Sequence, residues 1–165
     1  MSEPRPNVSL RDYAALAEAA IAIASIGDRE TALAACVELL WPALQPTGVS
    51  WLGFYTDCPD QPDDRRMILG PHRDRPACSP IGMHGVCGQS LLAREPRVVR
   101  DVAELGPSYI ACDPRDRSEV VVPLIDRDRI CWAVLDLDSH DIGSFDAADA
   151  AGLTSVLVAA GLTHE

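Results

Sequence analysis

No stretch of this sequence approaches the roughly 20 consecutive apolar residues that a membrane-spanning helix needs, so no span is expected. The opening residues, Met1-Ser2-Glu3-Pro4-Arg5-Pro6, have no basic region followed by an apolar core, so no secretory signal is expected either. Positive charge is in short supply: 14 basic residues stand against 25 acidic ones, a formal net charge of -11. Such a chain is repelled by nucleic acid and by anionic membranes unless it carries a local basic patch. None is evident. Arg65-Arg66, Arg73, Arg75 and the run from Arg115 to Arg129 are interleaved with aspartates and read as solvated surface. Among the six cysteines there is no Cys-x-x-Cys pair, which weighs against a zinc site built from them with His72 or His84. No internal repeat and no interdomain linker is found.

What is present suits one folded unit. A chain of 165 residues is long enough for one core and short for two. Apolar residues make up 47% and charged residues 24%, which are ordinary globular values. Residues 1–8 read as a Pro-rich flexible tail and 9–165 as a single domain. The expected location is the cytoplasm, where cysteines are more naturally thiols than a disulfide scaffold and any disulfide is transient.

Ser9-Leu10-Arg11-Asp12 has the form of a capping box, followed by an Ala-rich helix to about Ser25. Gly27-Asp28 stops it and starts a second helix, Glu30 to Leu44, whose stripe of Leu33, Cys36, Val37, Leu40 and Leu44 makes Cys36 a core residue. Pro42 should disturb its last turn, and Pro46 and Gly48 should end it. Val49 to Tyr55 alternates as a strand, with Leu52 and Phe54 on one face and Trp51, Gly53 and Tyr55 on the other. Two aromatics flanking a glycine can be two walls and a floor of a small-ligand pocket, or ordinary aromatic core. Arg66 to Leu69 pairs back as a second strand. Cys58, in the acidic turn between them, reads as incidental. A short helix, Gln89 to Ala93, a brief strand, Arg97 to Arg100, and a loop over Asp101 to Tyr109 follow. Glu119 to Ile125 and Ile130 to Leu137 form a hairpin about a polar turn. On its second strand Cys131, Ala133, Leu135 and Leu137 share one face, making Cys131 a core thiol, and Trp132, Val134, Asp136 and Asp138 the other. Phe145-Asp146 caps a final helix from Ala147 to about Ala160.

Cys78, Cys87 and Cys112 lie in segments rich in turn residues, poor places for core thiols and accessible ones for a substrate. Cys87 is expected at a helix N-terminus, where free amides stabilise a thiolate. Cys112 is the nucleophile candidate, because Arg115 or Arg117 can lower its pKa if either guanidinium turns toward it. A thiol oxidised to sulfenic acid needs a second thiol to resolve it, which gives the neighbouring loop cysteines a use. Asp136 and Asp138 project from one strand face and repel each other, so either solvent or a bound cation compensates them. Glu119 can supply a third carboxylate, and an ammonium fits the cluster better than a divalent metal, for which no His partner is in place.

The stretches Ser50-Trp51-Leu52-Gly53-Phe54-Tyr55, Leu69-Gly70-Pro71, Pro76-Ala77-Cys78, Gly85-Val86-Cys87-Gly88, Ile110-Ala111-Cys112-Asp113, Ser118 to Leu124 and Val134 to Ser139, in this order, resemble the free methionine-(R)-sulfoxide reductases, a family built on the GAF fold. The resemblance implies an α+β fold: a central antiparallel sheet with the N- and C-terminal helices packed on one face and a loop-covered ligand pocket on the other. It also implies that Cys112 attacks the sulfoxide sulfur and that Cys78 resolves the sulfenic acid with Cys87 auxiliary, the order of the two left open. Thioredoxin would reduce the disulfide, and no cofactor or metal is implied. Trp51 and Tyr55 would hold the methyl sulfoxide end, while Glu119, Asp136 and Asp138 would hold the ammonium and help protonate the leaving oxygen. The family and the exposed helix faces are compatible with a homodimer. The chain departs from the family at Met83-His84-Gly85, where Gly-Arg-Gly is usual, and at Tyr109, where a His is common. Two other readings need fewer of these residues. A non-catalytic GAF module that binds a small ligand has no use for three loop thiols, and a thiol redox sensor has no use for the carboxylates.

Overall fold

The computed structural model describes residues 11–74, 77–109 and 112–164. Its helices are α1 (Tyr13–Ala20), α2 (Arg29–Leu44), α3 (Val86–Ala93) and α4 (Ala147–Ala159). Its strands are β1 (Val49–Asp57), β2 (Met67–Arg73), β3 (Arg97–Val99), β4 (Ser118–Ile125) and β5 (Cys131–Ser139). Asp12 caps α1 by accepting from the Ala15 amide, a bond of 3.0 Å. Ser9, the other half of the expected capping box, and the expected tail lie outside the described residues. Asp28 and Asp146 cap α2 and α4 in the same way, and the Asp149 carboxylate accepts in turn from the Asp146 amide. Helix α1 tightens into a 3-10 turn over Ile21–Ser25, and α2 runs through Pro42 to Leu44 before Gly48, at a φ of 101°, turns the chain into β1. Among the described residues no helix is long and apolar enough to cross a membrane.

The five strands form one sheet in the order β2-β1-β5-β4-β3, antiparallel at every pairing. Because paired residues share a face, the register decides what meets. Trp51 pairs with Asp138, which pairs with Glu119; Gly53 pairs with Asp136, which pairs with Val121. Leu52, Phe54, Val120, Val122, Leu135 and Leu137 point the other way and bury against α1, α2 and α4 in the main core. This is the expected antiparallel sheet with terminal helices on one face. The opposite face carries a smaller core, in which Trp51, Tyr55, Val121 and Val134 pack under α3 and the segment holding Ile81 and Met83.

An internal ion pair ties the start of α1 to α4. The buried Arg11 guanidinium donates to Asp149 Oδ1 at 3.0 Å, to the Ser144 carbonyl at 2.8 Å and to Thr47 Oγ1 at 2.9 Å. Tyr13 donates its hydroxyl to the same Asp149 oxygen at 2.7 Å. Every member is hydrogen-bonded, which is the condition for burying a charge pair at small net loss.

Two expectations need correction. Strict alternation puts Cys131 in the main core and Trp132 on the pocket face, but the reverse is found: Trp132 packs with the helices and Cys131 with the smaller core. The reason is a register shift between Leu124 and Ile125, where Leu124 pairs with Ala133 but Ile125 pairs with Cys131. The extra residue flips the parity of the strand's start, and Arg29 then stacks over the Trp132 ring at 4.2 Å. Second, α3 begins at Val86, three residues earlier than expected, which places Cys87 inside its first turn. Strand β2 also runs further, to Arg73.

Candidate active site

Gly53 lies beneath the Trp51 ring, and nothing larger fits there. A Cβ on Gly53 would overlap the Trp51 ring and the His72 Cβ, both closer than 3.0 Å. The Trp51 indole, which itself lines the cavity, has its centroid 6.1 Å from that of Tyr55 and 5.9 Å from that of His72. Both aromatics also hold the loop above them: Trp51 Nε1 donates to the Asp74 carbonyl at 3.0 Å and the Tyr55 hydroxyl to the Cys78 carbonyl at 2.8 Å. Gly53→Ala should therefore displace the Trp51 ring. The expected result is a loss of about 1–3 kcal/mol of stability, the usual range for overpacking, together with a shift in tryptophan emission. Denaturant unfolding with an unchanged midpoint and emission maximum would show that the packing under Trp51 has slack.

Cys78 and Cys112 are joined by a disulfide, their Cα atoms 5.5 Å apart across 34 residues of sequence. Cys112 opens onto a cavity whose walls include Trp51, Tyr55, Cys87, Tyr109, Asp116, Glu119, Asp136 and Asp138. Seven of the eight residues singled out in the sequence as site candidates line this one space, and the eighth, Cys78, is bonded to Cys112. Ile110, Ala111, Arg75 and Pro76, from the motifs around these two cysteines, lie outside the described residues.

Cys87 is not the exposed, activated thiol that its turn-rich sequence suggests. It is 4% exposed. Burial raises its pKa well above the usual thiol range, and the charges of Asp136, Glu119 and Asp138 add to the shift. The helix N-terminus favours the thiolate by much less than desolvation and three acidic neighbours oppose it. The expected activation of Cys112 by Arg115 is not found in this disulfide state: the Arg115 guanidinium is engaged by Asp113, at 3.0 and 2.9 Å, and this pairing holds Asp113 down at about 2.

Glu119 and Asp136 are buried and Asp138 is half-buried, which weighs against a freely solvated strand end and leaves the bound cation as the reading to explain. Glu119 and Asp136 are 5% and 6% exposed. Burial first, then the charge of Asp138, pushes Glu119 up to about 8. Asp136 is raised well above the carboxylate range by burial and by Glu119, and Asp138 by burial and by Asp136. Carboxyl groups so placed hold a proton more tightly than exposed ones and can act as proton donors.

Asp116 was missed by the sequence reading. Its run of alternating Arg and Asp has the pattern of solvated surface, yet the segment folds back: the Arg117 amide donates to the Ser139 carbonyl at 2.8 Å, at the end of β5. Asp116 is buried there, accepts from Ser50 Oγ at 3.3 Å and is pushed up to about 6 by burial and by Asp113. Nothing local in the sequence marks it. Tyr109 does carry a signal, since it stands at a position where the resemblance leads one to expect a histidine, and it lines the cavity.

Comparison with known proteins agrees with this geometry. The GAF domain family matches residues 28–163. The free methionine-R-sulfoxide reductase of Saccharomyces cerevisiae is 37% identical over 114 residues, which cover 67% of this chain and 62% of that protein. The X-ray structure of the free methionine-R-sulfoxide reductase from Neisseria meningitidis in complex with its substrate superposes with a TM-score of 0.80 at 29% identity, covering 98% of this chain and 90% of that one. The fRMsr of Staphylococcus aureus, also in complex with substrate, gives a TM-score of 0.79 at 31% identity over 92% and 94% of the two chains. The chain thus spans less than two thirds of the yeast relative and nearly all of the two solved structures.

Proposed function

The chain belongs to the GAF-domain family, among the free methionine-(R)-sulfoxide reductases, and from that premise we propose that it reduces free L-methionine-(R)-sulfoxide to methionine through a cysteine relay. The observation that carries the reading is the Cys78–Cys112 disulfide at the edge of a cavity walled by two aromatics and buried acids. It is the oxidised product such a relay leaves.

In the reduced protein the Cys112 sulfur attacks the sulfoxide sulfur. The S–S bond so formed and the S–O bond then break together as the protonated oxygen passes to the Cys112 sulfur, so methionine leaves and Cys112 remains as a sulfenic acid. Cys78 then displaces that oxygen as water and forms the disulfide. The sum is one sulfoxide and two thiols giving one thioether, one disulfide and one water. A sulfoxide oxygen departs only when protonated, and burial together with mutual repulsion raises Glu119, Asp136 and Asp138, so that this cluster can supply a proton beside the cavity that Cys112 faces. Trp51 and Tyr55 are the apolar seat for the methyl sulfoxide end. The ammonium of a free substrate would draw the charge of one of these acids as a carboxylate, while another keeps its proton for the leaving oxygen, and Asp116 adds to the negative field. A methionine sulfoxide inside a peptide has no ammonium to offer, and its flanking chain does not fit under the loop that Trp51 and Tyr55 hold down.

Cys87, protonated and buried, serves as a reserve thiol and as a proton donor to Asp136. Thioredoxin is the proposed reductant of the disulfide, which requires a reducing compartment and so a cytoplasmic location. A homodimer is the proposed assembly. Among the readings weighed, a ligand-sensing module needs no cysteine pair at its pocket.

The test is turnover. Purified protein with a thioredoxin system should oxidise NADPH when given free methionine-(R)-sulfoxide, and should leave the (S) epimer and a peptide-bound sulfoxide largely untouched. No consumption of the free (R) form overturns the proposal.

A further inference from the structure

Cys87, Glu119 and Asp136 come from three different elements, α3, β4 and β5, yet one donor atom from each lies within 4.8 Å of the other two. All three side chains are more than nine-tenths buried. Glu119 Oε2 and Asp136 Oδ1 have no hydrogen-bond donor from any other group. The relief available to them within the chain is a proton kept between the two carboxyl groups, with the Cys87 thiol donating to Asp136. Buried oxygens without partners are rare in folded proteins and call for an explanation. The surrounding cavity is lined by four acids, and among its described lining residues there is no basic side chain to meet them.

A thiol and two carboxylates that leave one side open to a cavity match the donor number of an open tetrahedral site, three protein ligands and one free position. The sulfur decides between cations. Magnesium and calcium require oxygen cages, whereas zinc accepts sulfur and oxygen together. In a tetrahedral zinc site the donor atoms lie roughly 3.5 Å apart, so donor atoms already within 4.8 Å of one another can be drawn onto one ion by side-chain rotation.

We propose that Cys87 Sγ with one oxygen each of Glu119 and Asp136 forms a binding site for zinc, its fourth position facing the cavity. On binding, the cation takes the place of the protons now held by the triad. The thiol proton and the proton shared by the carboxyls go to solvent, three protein–metal bonds form, and no group changes oxidation state. A zinc ion there blocks the cavity floor beside Cys112, whatever ligand the cavity takes in turnover. The inference does not depend on the reductase reading, because the site is defined by donors and charge alone.

The experiment uses the full chain with the Cys78–Cys112 disulfide intact, so that neither of those sulfurs can bind metal. Zinc is titrated against a chromophoric chelator, and cobalt(II) in parallel. One equivalent per chain should bind, with a thiolate-to-cobalt charge-transfer band in the near ultraviolet. Cys87→Ser should abolish that band. Cys87→Ser and Asp136→Asn should each weaken zinc binding by more than the roughly 10- to 100-fold that loss of outer-shell support costs a metal site. Cys58→Ser, outside the triad, should bind as the parent does. A band that survives in Cys87→Ser, or equal zinc affinity in parent and Asp136→Asn, overturns the proposal. Asp136→Asn leaves the thiol in place, so the test stands even if Cys87→Ser folds poorly. The readout is metal binding, so a chain that turned over no sulfoxide would still give a decisive result.

Discussion

Cys112→Ser is expected to release no methionine at all, even in a single turnover without reductant, whereas Cys78→Ser should release one equivalent per chain and then stop. The difference follows from which bond each sulfur makes. In the proposed relay Cys112 forms the first sulfur bond to the substrate; it opens onto the cavity, and Cys78 is bonded to it. A serine hydroxyl at 112 cannot take the sulfoxide oxygen, so the reaction does not start. A serine at 78 leaves the first step intact and removes the thiol that expels water from the sulfenic acid. Cys87 is a poor substitute resolver while it stays buried and protonated, since the attacking species is the thiolate. The assay is methionine released per chain by rapid quench. One equivalent from Cys112→Ser and none from Cys78→Ser would exchange the two roles; full multiple turnover by Cys78→Ser would give the resolving step to Cys87.

Glu119→Gln should abolish most activity and at the same time raise the melting temperature at pH 8. Burial and Asp138 lift the folded Glu119 from its ordinary 4.5 to about 8. Between those values the native state holds a proton that the unfolded chain releases. Stability is therefore full below about pH 4.5 and falls as pH rises through the window to about 8. A glutamine has no proton to lose, and its amide can donate to the unpartnered Asp136 oxygen. The variant should match the parent near pH 4.5 and exceed it at pH 8 by on the order of 3 kcal/mol, or about 6–12 °C for a chain of this size. Its turnover should drop by about 10²–10⁴, the usual contribution of a general acid. Opposite signs in the two measurements are what separates a working acid from a structural one, because a residue needed only for folding loses both together. Melts at pH 5 and pH 8 decide the matter. A variant that melts below the parent at pH 8 would mean that Glu119 is ionised and well paired.

Much of this site was legible in the sequence because strand parity is a local property. Trp51 and Tyr55 could be assigned to one face of β1, and Asp136 and Asp138 to one face of β5, from alternation alone, and the register brings those faces together. The caps at Asp28 and Asp146 were equally local, whereas Asp12, expected inside a box begun by Ser9, is itself the residue that caps α1. Where the reading failed, a long-range contact had overruled a local pattern. Trp132 and Cys131 exchanged faces because one bulge opposite Ile125 resets the count, and a bulge leaves no mark in the alternation of residue types. Asp116 looked solvated because its neighbours in sequence are charged, and it is buried because its segment closes on the end of β5.

By itself, then, the sequence determined the strand faces, the helix starts and the set of thiols and acids available for chemistry, since each depends on residues a few positions apart. The tertiary structure alone decided the state of those groups. Cys87 is a protonated thiol rather than a helix-activated thiolate, Arg115 is bound to Asp113 rather than turned to Cys112, and Cys78 is the partner of Cys112. The reason is that desolvation and charge act through space. What sets a proton's affinity at Glu119, Asp136 or Cys87 is the groups that β4, β5 and α3 bring within a few ångströms, and those are distant in sequence.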